Sequence, residues 1–102
     1  LSKMSEKKHF YLKLVASRPT FATDMNEEER AIMQQHVAYW MELMNQGKVI
    51  VFGPVFDPAG AFGMGVIEAE SEEEVKNITD NDPASKINKY EVYPMRAVTP
   101  AK

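Results

Sequence analysis

A chain of 102 residues makes one domain with a core large enough to fold without staples, and its lack of cysteine excludes disulfides, zinc–thiolate sites and thiol nucleophiles. A net charge of −3 without a basic cluster argues against nucleic acid, because phosphate neutralisation needs grouped Lys and Arg. No apolar run approaches the ~20 residues that span a membrane, and no signal-peptide pattern opens the chain, so a cytoplasmic location is the expectation.

Residues 1–8 are polar and charged and are expected to lie outside the domain, disordered or added. Residues 1–3 read as an addition ahead of a natural start at Met4. Residues 9–16, HFYLKLVA, read as the first strand, with Phe10, Leu12, Leu14 and Ala16 on one face and Tyr11, Lys13 and Val15 on the other. Arg18-Pro19 ends it, since proline restrains its predecessor and cannot donate to a ladder. Residues 20–25 are expected to be a loop.

The strongest signal follows. Asn26 is a suitable helix N-cap, and Glu29 can reach back to it in a capping box. Glu27, Glu28 and Glu29 put negative charge at the positive end of the helix dipole. Ile32, Met33, His36, Val37, Trp40, Leu43 and Met44 recur at spacings of three and four and predict one apolar stripe, with His36 on the buried side. Gly47 can take the left-handed conformation that ends such a helix. Residues 48–56 then predict a second strand, apolar on both faces, with Val49, Val51 and Val55 on one side and Ile50, Phe52 and Phe56 on the other. Such a strand is expected at the centre of a sheet.

Asp57-Pro58-Ala59-Gly60 is a turn signal that returns the chain as an antiparallel third strand over residues 61–70. Ser71 and Glu74 form an S-x-x-E capping box, and a second helix runs to about Asp80 with Val75 and Ile78 inward. Asp82-Pro83 starts a further turn. Residues 89–98 form the last strand, with Tyr90, Val92, Tyr93 and Met95, and residues 99–102 are a tail. The domain is thus expected over residues 9–98. The order β-α-β-β-α-β is the ferredoxin-like α+β pattern: a four-stranded antiparallel sheet with two helices on one face. The helices leave the other face open and partly apolar. A homodimer packing two sheets face to face is the expectation.

The run His36-Val37-Ala38-Tyr39-Trp40, Leu43, Gly47, Gly53-Pro54-Val55 and Asp57, followed by Asp80-Asn81-Asp82-Pro83 and Tyr90-Glu91-Val92, resembles the YCII-related domain family. The resemblance covers nearly the whole chain. It implies a dimeric α+β barrel and a pocket between helix and sheet holding a His–Asp pair. It also implies links, in some members, to degradation of small aromatic-derived acids by lactone isomerisation or hydrogen-halide elimination. The family histidine falls on His36 and the aspartate of its D-P motif on Asp82. Arg18-Pro19 and Asp57 also match residues seen in longer-turn members.

From residue chemistry, His36 is a candidate general acid/base, because imidazole titrates near working pH. The plain alternative is a core histidine satisfied by backbone. Asp82 would orient it, and its alternative is an ordinary N-cap. Arg18 is a candidate clamp for a substrate carboxylate, against a solvated loop charge. Asp57 is a candidate substrate-binding residue, against a turn residue bonded to its own backbone. Gly60, Gly63 and Gly65 do not have dinucleotide spacing, although Gly63 and Gly65 share a strand face that a ligand or side chain can approach closely. Two histidines without ligand spacing predict no metal site. Trp40, Met33, Met41 and Met44 read as core or interface filling rather than a cofactor box, and no cofactor is expected. Three functions stay open: an enzyme moving a proton on a small carboxylated or lactone-like substrate, a small-molecule binding or sensing dimer using the same pocket, and a structural dimer module.

Overall fold

A computed structural model describes residues 8–100. Residues 1–7, on which most of the expected N-terminal segment falls, lie outside the described residues. The elements are β1 (Lys8–Val15), α1 (Phe21–Asp24), α2 (Glu27–Asn45), β2 (Val49–Val55), β3 (Phe62–Ala69), α3 (Glu72–Asp80), a 3-10 turn (Pro83–Lys86) and β4 (Lys89–Met95). All strand pairs are antiparallel and the sheet order is β2-β3-β1-β4, the order of the ferredoxin-like fold. The chain is an α+β protein of that class. Among the described residues no helix is long and apolar enough to cross a membrane.

Local chemistry explains most boundaries. The Asn26 side chain accepts from the Glu29 amide at 2.8 Å, and Glu29 Oε1 accepts from the Asn26 amide at 3.0 Å, so both arms of the capping box are made. At the other end of α2, Gly47 has φ of 83°, with its amide donating to Met44 O and the Lys48 amide to Leu43 O. That is a Schellman closure, which needs a residue tolerant of positive φ. Gly60 donates to Asp57 O at 2.9 Å and closes the β2–β3 turn.

Several details differ from the sequence reading. Residues 21–24 form one helical turn, not a loop, because Phe21 buries its ring in the core. The Ser71 hydroxyl caps Glu74, but the returning Glu74 carboxylate accepts from the Glu70 amide instead of Ser71, so the second capping box is half made. β2 is an edge strand, not a central one. A bulge between Val49 and Val51 also breaks its alternation. Val49 and Phe52 turn to the helix side, while Val51 is exposed on the open side. One inserted residue reverses which face later side chains take. The α2 stripe is buried only at Trp40 and Leu43. Val37 and Met41 are exposed.

The core lies between sheet and helices. Phe10 and Leu12 of β1, Ile67 and Ala69 of β3, Trp40 and Leu43 of α2, and Val75 and Ile78 of α3 form one buried cluster. Alternation on β1 is strict, with Phe10, Leu12 and Leu14 buried. The deepest side chains belong to the two central strands and α3: Leu12, Ile67 and Val75.

Candidate active site

Helical spacing sets the first part of the site. His36 and Trp40 are one turn apart on α2 and share a face, with ring centroids 6.2 Å apart. Trp40 can pack close against the sheet because β3 presents Gly65 to it. A Cβ at Gly65 would meet the indole carbons at 2.5 and 2.6 Å. The glycine is therefore a seat for a side chain, one of the two uses the sequence left open.

Asp82 provides the second part. It caps the 3-10 turn, its Oδ1 accepting from the Ala84 amide at 2.9 Å, with Pro83 at the first position. The capping role is real, and the same carboxylate also bonds His36. Its Oδ2 lies 2.8 Å from His36 Nδ1 and its Oδ1 3.0 Å. Trp40 Nε1 donates to Oδ2 at 3.0 Å, and the Tyr90 hydroxyl donates to the same oxygen. Asp82 is 2% exposed, so a charge there must be compensated by donors. Burial alone would raise its pKa. The hydrogen bonds from His36, Tyr90 and the Ala84 amide outweigh burial and hold the carboxyl below its ordinary value. Burial, followed by the Asp82 charge, pushes the Tyr90 phenol up, so Tyr90 stays protonated and acts as a donor.

A carboxylate accepts at Nδ1, so the neutral ring carries its proton there and leaves Nε2 as a lone-pair acceptor. Nε2 bonds no described residue, and no buried side-chain nitrogen or oxygen among the described residues lacks a partner, so Nε2 keeps contact with solvent. His36 lines a cavity of about 240 Å³ between α1, α2 and the sheet. Leu12, Leu14, Phe21, Phe52 and Trp40 form much of its wall, and His36, Tyr90 and Asn88 bring polar groups to it. Among the described residues no Lys or Arg lines the cavity, and no group of three His, Asp or Glu is placed to hold a metal ion.

Arg18 and Asp57 are not brought to this pair. The Arg18 guanidinium makes a fork to Glu29 at 2.9 and 3.0 Å, and its Nε and second terminal nitrogen bond Asp24. That ion pair pushes the guanidinium pKa further up and pulls Glu29 down to about 2. The donors that would grip a substrate acid already hold α1 to the start of α2. Asp57 is exposed and bonds the Ala59 amide at 2.9 Å, the turn role. Neither residue lines the cavity. Trp40, Tyr90 and Asn88 are polar members of the site that the sequence alone does not point to. Spacing reveals Trp40 as an apolar stripe residue, and nothing in the sequence reveals where its N–H points.

The family model of the YCII-related domain matches residues 9–99, and the chain belongs to that family. Among solved structures, the 5-chloro-2-hydroxyhydroquinone dehydrochlorinase from Burkholderia phenoliruptrix AC1100, in complex with 2,5-dihydroxybenzoquinone, is similar in fold. It shares 21% identity with a TM-score of 0.56, over 85% of this chain and 93% of that chain. A search of curated proteins finds no match.

Proposed function

We propose that this chain is a small-molecule enzyme in which the His36–Asp82 pair moves a proton without a metal or organic cofactor. His36 Nε2 takes the proton from an acidic position of the substrate. Asp82 holds the ring by Nδ1 and stabilises the imidazolium that forms, an arrangement suited to general acid/base work. The electron pair left behind either collects a proton elsewhere, which is isomerisation, or expels a leaving group, which is elimination. The observation that carries this reading is a buried, donor-saturated carboxylate 2.8 Å behind a cavity-lining histidine whose other nitrogen bonds no described residue.

The cavity is smaller than the ~300–1,000 Å³ of sites for drug-sized ligands. Its lining is mostly apolar and offers no cation. That favours a neutral lactone-like or ring substrate over a carboxylated one, and Arg18, being engaged, is not the clamp. The family neighbour named for a small hydroxylated ring substrate agrees with this size class. Chlorinated hydroquinones and enol-lactones are the panel to test. His36→Gln should lower turnover by ~10²-fold or more with little change in melting temperature. Equal turnover in wild type and His36→Gln would overturn the proposal.

A non-catalytic binding or sensing protein is the second reading. It is favoured by how few free groups the cavity has, since the Asp82 and Tyr90 oxygens are already bonded to protein. It predicts thermal stabilisation by ligand without turnover.

We also propose the face-to-face homodimer. The sheet face away from α2 and α3 exposes Val51, Tyr93 and Met95, with Tyr11 beside Tyr93, ring centroids 5.9 Å apart. A sheet covered on one side only has that face free for a second copy.

A further inference from the structure

Asn88 stands just before β4, 6% exposed, at the cavity wall. Its amide orientation is fixed by chemistry. The Ser17 backbone N–H donates to the side-chain oxygen at 3.2 Å, and an N–H can only donate, so the group facing it is Oδ1. The Nδ2 group, with two hydrogens, is left with one contact among the described residues, the Met33 thioether at 3.8 Å. Sulfur of that kind is a weak acceptor. A buried amide donor without an oxygen partner is costly and calls for one.

Met33 and His36 are three residues apart on α2, hence neighbours on one helix face. Both line the cavity together with Asn88. The weakly bonded amide donor of Asn88 and the Nε2 of His36, which bonds no described residue, thus belong to residues that line one small, mostly apolar space. We propose that Asn88 is the ligand-oxygen anchor of this cavity. Its Nδ2 donates to a carbonyl or enol oxygen of a neutral ring ligand while His36 meets an acidic C–H of the same ring. This rests on the proposed function and deepens it. The proton goes to Nε2, and the C–H electron pair delocalises onto the oxygen held by Asn88. It returns to another carbon with a proton, or forms a new carbon–carbon double bond as the departing group leaves with its own bonding pair. Binding donors are best aimed where charge develops.

The test compares two neutral probes of one ring size, 2-cyclohexenone and cyclohexene, by NMR titration of the full chain. His36 ring signals report entry into the cavity, and the Asn88 side-chain amide reports the contact. Cyclohexenone should shift the Asn88 amide, and cyclohexene should leave it in place. Asn88→Asp keeps an oxygen for the Ser17 N–H and removes the donor. It should weaken cyclohexenone by about tenfold and leave cyclohexene unchanged. If Asn88→Asp does not fold, the wild-type amide shift alone decides. Entry of cyclohexenone that moves His36 but not Asn88, or binds wild type and Asn88→Asp equally, overturns the anchor and leaves the His36–Asp82 reading standing. Failure of both probes to enter overturns the cavity as a ligand site, and the proposed function with it.

Discussion

Asp82 is the residue on which the site turns, because four donors from three parts of the chain meet on one carboxylate. His36, Trp40, the Ala84 amide and Tyr90 all end there. Asp82→Asn keeps an acceptor but loses the charge. The fold should survive, while the neutral His36 ring loses its fixed Nδ1–H form. A long-range ¹H–¹⁵N spectrum of the ring should change from one tautomer to a mixture, and an unchanged spectrum would show that Asp82 does not set it. Asp82→Ala removes the acceptor altogether. Buried donors left unpaired cost about 1–3 kcal/mol each, so urea unfolding should show a much larger loss than for Asp82→Asn. Gly65 is the other sensitive position. Gly65→Ala drives a methyl into the indole of Trp40, which must shift off Asp82. Overpacking of this kind costs about 1–3 kcal/mol, and the Trp40 indole N–H signal should move with it.

At the level of elements, α2 owes its limits to local chemistry that is legible in the sequence. The Asn26–Glu29 box and the Gly47 closure were readable because each involves residues within a few positions. Gly47→Ala forces a side chain into the left-handed region, at about 1–2 kcal/mol. Denaturant titration should find that loss, and Gly47 is not among the residues that line the cavity. β2 shows the reverse case. Its composition, apolar on both faces, predicted a central strand. The edge position and the bulge come from pairing with β3 alone, which no local pattern encodes. Arg18 is similar: a loop arginine in sequence, but in space a clasp between α1 and α2, bonded to Asp24 and Glu29.

For the whole molecule, acid should be the weakness. Asp82 and Glu29 both have carboxyls held below their ordinary values, Glu29 at about 2. A carboxylate with a lower pKa in the folded than in the unfolded state stabilises the fold above the unfolded value. That contribution is lost as pH falls through the folded one. The melting temperature should therefore be flat above about pH 5 and fall progressively below about pH 4. In Asp82→Asn the fall should be shallower. Sedimentation at micromolar concentration tests the dimer. A monomer would overturn it, and a dimer lost in Tyr93→Glu would assign it to the open sheet face. The sequence by itself determined the element order, the helix caps, the turn at Asp57 and the histidine on an apolar helix face, because these rest on periodicity and on contacts a few residues apart. Only the tertiary structure decided that Asp82 reaches His36 across 46 positions, that Arg18 is spent on an internal ion pair, and that the Asn88 amide stands at the cavity wall. Those contacts join α2, the Asp82 turn and β4, which meet only when the helices pack on the sheet.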